Sequence, residues 1–263
     1  MAKIGFIGMG NMGYAIAKGL VNKNQSDIVF HDNAKERMDS VSKELNISAV
    51  ETNGGVLADA KYVVLAIKPQ MLDDVLSEVV SKVNEEHVFI SLCPGITIDY
   101  LSEKLNTKKI VRTMPNTPAL VGEGMTGVSY KDGTLNKEEE TVVEEIFNAI
   151  GKMGLIDEKY MNAVVCASGS SPAYVFMFME ALADSVVKYG MTRKDAYKFV
   201  AQTVLGSAKL MLETEKHPGE LKDMVCSPAG TTIAAVEALE KAGLRASLFD
   251  ATTACYEKVT SMK

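Results

Sequence analysis

The first pattern that could do chemistry is a run of glycines near the amino terminus. Gly8, Gly10 and Gly13 are spaced as G-x-G-x-x-G. The apolar run Ile4 to Ile7 precedes them, and apolar residues at helical spacing follow. This order predicts a strand, a tight turn and a helix whose free N–H groups face an anion. With a carboxylate following at Asp32, the pattern favours a bound dinucleotide over an ordinary glycine-rich turn.

Each glycine has a separate task in such a turn. Gly8 permits the tight bend, and Gly13 lets the helix lie close to its strand. Gly10 removes a Cβ where a pyrophosphate would approach the backbone. The three positions together therefore predict a phosphate-binding turn.

Asp32 bears on which dinucleotide is bound. Its carboxylate could accept hydrogen bonds from the hydroxyls of the adenosine ribose, which suits NAD. A 2′-phosphate would be repelled there, although Lys35 and Arg37 could neutralise it. Asp32 could instead only cap the helix that starts near Ala34. The choice between NADH and NADPH stays open.

A second candidate site is the run Cys226 to Thr232, which reads CSPAGTT. Small residues let a ligand approach the backbone, and the N–H groups of Gly230, Thr231 and Thr232 would be the unpaired donors of a helix start. A carboxylate would fit there. A capped helix without a ligand is the alternative, and a plain hinge is the alternative for the helix-start loop Ser168 to Pro172.

Alternating strands and helices must position the first site. Eight short apolar runs are predicted as strands: Ile4–Ile7, Ile28–His31, Ile47–Val50, Tyr62–Ile67, His87–Leu92, Ile110–Met114, Met125–Ser129 and Lys152–Ile156. The turn Asp132-Gly133 precedes a helix, so it is predicted to be a connection and not a hairpin. The alternation predicts an α/β fold with a doubly wound, Rossmann-type sheet over residues 1–157.

Other segments should lie beside the glycine turn. Ligands of open parallel sheets bind at the carboxyl ends of the strands. Ala66-Ile67-Lys68-Pro69 and Cys93-Pro94-Gly95 follow two predicted central strands. They are therefore predicted to line the cofactor.

The second half of the chain changes character after Asp157, where no convincing strand follows. Residues 158–263 are therefore predicted to form an all-α domain. The helix that begins at Pro172 has apolar residues around most of its circumference up to Gly190, so it must be buried nearly all round. A second copy of the chain would cover it more fully than internal packing, which favours a homodimer over a monomer.

Composition argues against several classes of function. The 263 residues carry a formal net charge of −6 with scattered lysines, which disfavours a nucleic-acid surface. No apolar stretch approaches the roughly 20 residues of a membrane span, and no secretory signal pattern opens the chain, so a soluble, cytoplasmic protein is expected. Cys93, Cys166, Cys226 and Cys255 have no metal or disulfide spacing, so free thiols and no metal are expected.

These stretches together resemble the pyrroline-5-carboxylate reductases. The resemblance spans almost the whole chain and is carried by IGFIGMGNMG at 4–13, AIKP at 66–69, MPNTPALVGEG at 114–124, SGSSPAY at 168–174 and HPGELKDMVCSPAGTTIAAVEALEKAGLR at 217–245. It implies NADPH- or NADH-dependent reduction of the cyclic imine L-1-pyrroline-5-carboxylate to L-proline. It also implies a Rossmann domain joined to a helical domain that dimerises, and in that family larger rings of dimers occur.

The resemblance further implies two sets of contacting residues. The cofactor would contact Gly8, Met9, Gly10, Asn11, Met12, Asp32, Asn53, Ala66, Lys68, Pro69, Cys93 and Gly95. The substrate would contact Ser227, Gly230, Thr231 and Thr232, with Glu215 at the border. The Thr232 hydroxyl would meet the ring nitrogen and is the implied catalytic group. There are two departures from the family pattern: Cys93-Pro94 replaces a usual pair of alanines, and Asp32 replaces a small hydroxyl residue.

An enzyme that reduces an imine needs fewer catalytic groups than one that reduces a ketone. A ketone becomes an alkoxide and needs a proton donor, whereas a protonated imine nitrogen becomes a stable amine once hydride arrives. A hydroxyl that orients the nitrogen and a helix end that holds the carboxylate would then suffice by positioning. His217, the single histidine of the second half, fits a turn residue.

Two other functions compete with imine reduction. A β-hydroxyacid-type dehydrogenase would need a catalytic lysine on a helix of the second half. The candidates Lys188, Lys198 and Lys209 have neighbours typical of solvated faces. A non-catalytic dinucleotide-binding redox sensor would need no such group.

Overall fold

Eight strands form a single sheet in the order β3-β2-β1-β4-β5-β6-β7-β8 in a computed structural model that describes residues 3–261. The strands are β1 (Ile4–Ile7), β2 (Ile28–His31), β3 (Ser48–Ala49), β4 (Tyr62–Leu65), β5 (Val88–Ser91), β6 (Ile110–Met114), β7 (Gly124–Ser129) and β8 (Gly151–Leu155). Every neighbouring pair is parallel except β6 with β7. The predicted doubly wound sheet and its eight strands are confirmed, and β3 is shorter than predicted.

Helices alternate with these strands and then continue without them. Those of the sheet region are α1 (Asn11–Asn22), α2 (Lys35–Leu45), α3 (Asn53–Asp59), α4 (Leu72–Val79), α5 (Ile98–Leu105) and α6 (Lys137–Asn148). The later ones are α7 (Met161–Val164), a π-helix at Val165–Gly169, α8 (Ser171–Val187), α9 (Arg193–Thr214), α10 (Pro218–Val225), α11 (Thr231–Lys241) and α12 (Leu244–Ser261). Within 158–261 the structure contains no strand, so the predicted all-α character is confirmed.

The central strands are buried on both faces because helices cover the sheet on each side. Side chains of β1 and β4 alternate between two apolar clusters. Phe6 and Val64 belong to one cluster, and Ile7 and Leu65 belong to the other. The order of connection reverses between β1 and β4, which is where a doubly wound sheet binds its ligand. Because α6 connects the parallel strands β7 and β8, Asp132-Gly133 is a connection, as predicted.

The described chain forms two compact units. The first comprises residues 3–170 and 255–261, and the second comprises residues 171–254. The domain boundary predicted after residue 157 stays a prediction. Within the second unit, Phe176 and Met177 of α8 are 62% and 68% exposed in the single chain. The expectation that α8 is buried nearly all round therefore requires cover from another surface.

Two classes of feature do not occur in the described part of the chain. No helix between residues 3 and 261 combines the length and the apolar composition that a bilayer crossing requires. In the same range, the structure contains no group of three or more His, Cys, Asp or Glu side chains that could hold a metal ion.

A buried carboxylate ties the first turn of α6 to the sheet. The Glu139 side chain has no exposed surface, and its Oε1 lies 3.0 Å from Lys61 Nζ and 2.8 Å from Lys109 Nζ. Its Oε2 accepts the N–H of Asn136 at 3.0 Å, while the Asn136 side chain accepts the N–H of Glu139 at 2.9 Å. Burial by itself would raise the pKa of Glu139, but hydrogen bonds from Lys109, Asn136 and Lys61 hold that pKa below its usual value.

Glu139→Gln is expected to lower the free energy of unfolding by about 2 kcal/mol at neutral pH, because both ammonium groups lose this buried carboxylate and Lys61 keeps only the exposed Glu86. The folded-state pKa of Glu139 is lowered, so its contribution is present above the unfolded-state pKa and lost as the pH falls through the folded-state pKa. Urea unfolding at fixed protein concentration, at neutral pH and below about pH 4, measures both effects.

Glu140→Gln is the matched control for that substitution. Glu140 pairs with the exposed Lys137, and such surface pairs contribute about 0–1 kcal/mol. A difference between wild type and Glu139→Gln that does not shrink in acid would contradict the assignment of this stability to the buried charge.

Candidate active site

The glycine turn between β1 and α1 leaves an open approach to the backbone. Gly8 has a left-handed φ of +91°, and a Cβ there would come within 2.6 Å of the Ala66 carbonyl oxygen. A Cβ on Gly13 would come within 2.5 Å of the Gly8 carbonyl oxygen. A Cβ on Gly10 would meet nothing within 4 Å. The packing roles predicted for Gly8 and Gly13 are confirmed, and the space over Gly10 is available to a ligand.

The amino terminus of α1 points its N–H groups into the same open space. The residue that caps the helix is Gly10, and no side chain caps it. Because glycine has no side chain, the first N–H groups, at Asn11 and Met12, receive no acceptor from the capping residue. A helix start of this kind favours an anion.

Asp32 holds the turn with both carboxylate oxygens. Oδ2 accepts the N–H of Met9 at 2.7 Å, and Oδ1 accepts the N–H of Ala34 at 2.9 Å. The bond to Ala34 is an Asx turn just before α2 and not a helix cap, since Ala34 is the N-cap residue and no side chain caps α2. The capping alternative is therefore not what the structure shows, and Asp32 instead fixes the glycine turn through Met9.

A cation and an aromatic ring flank the same turn, and sequence reasoning did not identify this arrangement. Arg37 Nε donates to the Met9 carbonyl oxygen at 2.7 Å, and its guanidinium lies 4.9 Å from the centre of the Tyr14 ring. Lys18 Nζ lies 5.5 Å from the same ring, and the Tyr14 hydroxyl donates to Glu44. The helical spacing of Tyr14 and Lys18, four residues apart, is the signal that could have indicated part of it.

The other predicted cofactor residues from β3–α3 and β4 lie in the same compact unit. Asn53 begins α3 and is 6% exposed, and its side-chain amide donates to Glu78 Oε2 at 2.8 Å. Ala66 follows β4, its N–H bonds to the Ile7 carbonyl oxygen at 2.9 Å, and its own carbonyl faces Gly8. Lys68 is exposed and Pro69 is half-buried just beyond them.

The segment after β5 presents its backbone, and not the Cys93 thiol, to the carboxyl edge of the sheet. Cys93 exposes no surface, its thiol donates to the Ile67 carbonyl oxygen at 3.4 Å, and burial raises the pKa of the Cys93 thiol to about 11. The protonated thiol is therefore not a nucleophile near neutral pH. Gly95 is half-buried with a φ of +79°. The contacts predicted at Cys93 and Gly95 stay predictions.

The second candidate site belongs to the second unit and surrounds the start of α11. Gly230 caps that helix without a side chain, and its N–H donates to the Ser227 carbonyl oxygen at 3.0 Å. A Cβ on Gly230 would collide with the Ser227 hydroxyl. Thr231 is exposed and Thr232 is half-buried in the first turn. The structure thus brings Ser227, Gly230, Thr231 and Thr232 together at one helix start.

Glu215 and His217 lie between α9 and α10 in the same unit. Glu215 ends α9 with a left-handed φ of +55° and is exposed. His217 precedes α10, and its Nδ1 accepts the N–H of Gly219 at 3.1 Å. The interpretation of His217 as a turn residue is confirmed.

Fold and turn together define the class of protein. A sheet whose first strand leads through a glycine turn into a helix start, at the point where the strand order reverses, is that of a dinucleotide-binding protein. Residues 3–95 match the family model described as NADP oxidoreductase, coenzyme F420-dependent. Residues 158–262 match the model described as pyrroline-5-carboxylate reductase dimerisation.

Individual relatives agree along the whole chain. The pyrroline-5-carboxylate reductase of Escherichia coli (strain K12) is 46% identical over 97% of this chain and 96% of its own. A solved pyrroline-5-carboxylate reductase from Coxiella burnetii has a TM-score of 0.90 at 33% identity, covering 98% of this chain and 97% of its own. The Plasmodium falciparum pyrroline carboxylate reductase, solved with NADP bound, has a TM-score of 0.88 at 32% identity, covering 99% and 98%. The chain belongs to the pyrroline-5-carboxylate reductase family.

Proposed function

We propose that this protein transfers a hydride from NADPH or NADH to the cyclic imine L-1-pyrroline-5-carboxylate, which gives L-proline. The observation that carries the proposal is the open backbone at Gly10, in a chain that belongs to this family. The space that a Cβ on Gly10 would fill is the cradle that a pyrophosphate needs. It supports a resident dinucleotide at this turn.

The cofactor side of the proposal uses residues of the first unit. The amides at Asn11 and Met12, together with the backbone at Gly8, Met9 and Gly10, would hold the pyrophosphate. Asp32 would face the ribose, and the segments with Asn53, Ala66, Lys68, Pro69, Cys93 and Gly95 would line the remainder. When bound, the reduced nicotinamide supplies the hydride. The contribution of the chain is to bind and orient it.

The substrate side uses residues of the second unit. Ser227 and the amides of Gly230 and Thr231 would bind the substrate carboxylate, with Glu215 at the border of the site. The Thr232 hydroxyl would hydrogen-bond the ring nitrogen and so set its orientation. Because the nitrogen can enter protonated, positioning is the main contribution and no strong acid is needed.

The two competing functions have less support. Lys188, Lys198 and Lys209 are exposed in the single chain, and Lys209 lies 3.6 Å from Glu213, as expected for solvated faces. The dehydrogenase alternative therefore lacks the lysine it needs. The redox-sensor alternative has no support from the relatives, which are named as reductases.

A cofactor oxidation assay tests the proposal. The protein is mixed with L-1-pyrroline-5-carboxylate and either NADH or NADPH, and the loss of nicotinamide absorbance is followed. Oxidation that depends on the imine supports the proposal. Intact nucleotide binding without oxidation would favour the sensor, and turnover only with a β-hydroxy acid and an oxidised nucleotide would favour the dehydrogenase.

Self-association is supported by the dimerisation match over 158–262 and by the large apolar side chains that the single chain leaves exposed in the second unit. The proposed state is a homodimer, and a ring of dimers is the further possibility that the resemblance implies. Light scattering at several protein concentrations distinguishes a dimer from a ring. The proposed partners are a small cyclic imino acid and a second copy of the chain, with no role for nucleic acid, membrane or metal.

A cytoplasmic location is part of the same proposal. All four cysteines are free thiols, which suits a reducing compartment. Fractionation of cells that express the protein tests it, and recovery with an oxidising compartment would contradict it.

Asp32→Ser is expected to raise kcat/KM with NADPH relative to NADH by about tenfold, because it removes a negative charge that a 2′-phosphate would face while Arg37 stays beside it. The ratio is measured with both cofactors in the same assay. Asp39→Ser, on the exposed face of α2, makes the same charge change and should leave the ratio unaltered. An unaltered ratio in Asp32→Ser would remove Asp32 from cofactor selection.

A further inference from the structure

Two thiols meet where the chain leaves and re-enters the first compact unit. Cys166 lies in the π-helix Val165–Gly169, four residues before the chain leaves the unit after Ser170. Cys255 lies in α12, where the chain returns to the unit. The two side chains lie within hydrogen-bonding reach of each other although they are far apart in sequence.

The surroundings of each thiol fix the pair. Cys166 Sγ donates to the Asn162 carbonyl oxygen at 3.4 Å, and Cys255 Sγ lies 3.3 Å from Ser170 Oγ. The Ser170 N–H bonds to the Val165 carbonyl oxygen at 2.8 Å, which brings the end of the π-helix beside Cys255. Cys166 is buried, whereas Cys255 is half-exposed. In the single chain Cys255 is therefore the thiol that an oxidant reaches first, and Cys166 lies next to it.

We propose that Cys166 and Cys255 form a redox-active pair that closes to an intrachain disulfide when the protein meets a small disulfide such as oxidised glutathione. The Cys255 thiolate attacks one sulfur of glutathione disulfide, forms a mixed disulfide and releases one glutathione. The Cys166 thiolate then attacks Cys255 Sγ and releases the second glutathione. Two protein thiols are oxidised, one small disulfide is reduced, and the two protons end on the two glutathione thiols.

Burial decides the order of these steps. It raises the pKa of the Cys166 thiol to about 11, with the hydrogen bond to Cys255 as a second cause. A protonated, buried thiol is a poor first nucleophile, so Cys166 acts as the resolving thiol. Cys93 has no exposed surface, and Cys226 lies in the second unit, so neither has the same arrangement.

Formation of the disulfide would covalently join the point where the chain leaves the first unit to the point where it returns. The segment 171–254 would then be a loop closed at its base, which restricts the unfolded chain and raises thermal stability. The proposal is independent of the identity of the imine substrate, because it concerns no residue of either candidate ligand site.

The test uses the purified full chain incubated with oxidised or reduced glutathione. Wild type should lose two hydrogens in intact mass, give a cross-linked peptide that joins Cys166 to Cys255, and gain roughly 5 °C or more in melting temperature, all reversed by dithiothreitol. Cys166→Ser should instead retain glutathione on Cys255, and Cys255→Ser should leave position 166 unmodified. Cys226→Ser is the matched control and should still form the disulfide.

Three outcomes would overturn the proposal. In the first, wild-type protein carries only glutathione adducts. In the second, the cross-link joins two copies of the chain and not two cysteines of one copy. In the third, the Cys255→Ser variant is glutathionylated at Cys166 as fast as wild type reacts. The cross-link map of wild type needs no variant, so it decides the matter even where a substitution prevents folding.

Discussion

Gly10→Ala is expected to weaken NADPH and NADH binding by roughly 5- to 150-fold without loss of the fold. The backbone at Gly10 has φ −66° and ψ −166°, which alanine adopts without strain, and its Cβ would meet no protein atom within 4 Å. The added methyl therefore occupies only the space that the pyrophosphate needs. Filling a close-packed contact typically costs about 1–3 kcal/mol, which corresponds to that loss of affinity.

The comparison with Gly13→Ala separates binding from folding. At Gly13 the new Cβ would come within 2.5 Å of a backbone oxygen, that of Gly8, so the cost falls on the folded protein before any ligand binds. We expect Gly13→Ala to lower the melting temperature and Gly10→Ala to leave it unaltered. Cofactor titration by calorimetry and thermal unfolding of the same samples measure the two effects. Undiminished cofactor affinity in folded Gly10→Ala protein would place the pyrophosphate elsewhere.

Thr232→Ala is expected to lower kcat/KM for L-1-pyrroline-5-carboxylate by about ten- to a hundredfold, which is roughly 1.5–3 kcal/mol of transition-state stabilisation. The physical reason is the loss of a hydroxyl that would orient the ring nitrogen as the hydride arrives. Thr232 lies in the first turn of α11, where alanine is a good helix former, so the helix itself should persist. The steady-state parameters with saturating cofactor measure the loss.

Two neighbouring substitutions control for a merely structural effect. Thr231→Ala removes an exposed hydroxyl from the same turn and keeps the amide that would bind the carboxylate, so its kinetics should stay close to wild type. Thr232→Ser restores the hydroxyl and should recover most of the activity. If Thr232→Ala turns over like wild type while it remains folded, the threonine has no part in orienting the imine.

The chain's local patterns were sufficient to place the strands and the glycine turn along the sequence. Short apolar runs such as Tyr62 to Leu65 form strands that are buried on both faces. They could be predicted as strands because a short run without alternating polar residues suits a parallel sheet that helices cover on both sides. Gly8 and Gly13 could be assigned from spacing, because a turn this tight leaves no space for a Cβ. The helical half followed from the absence of strand patterns after Asp157.

Other features depended on which elements lie side by side. The antiparallel placement of β7 against β6 has no counterpart in the local pattern of either strand. Asp32 accepts the N–H of Met9, which lies 23 residues earlier in the chain, and Arg37 donates to the carbonyl oxygen of Met9. Such partners are chosen by the packing of whole strands and helices, which no short stretch of sequence contains.

The sequence by itself determined the strand and helix alternation and the glycine turn, because these depend on backbone sterics and on the local order of apolar residues. The family was indicated separately, by the resemblance of whole motifs such as residues 217–245. Only the tertiary structure decided that both oxygens of Asp32 are bound to backbone, that the Cys93 thiol faces Ile67, and that Cys166 meets Cys255. Apart from the local bond between Asp32 and Ala34, these contacts join residues distant in sequence, and their geometry exists only once the elements have packed.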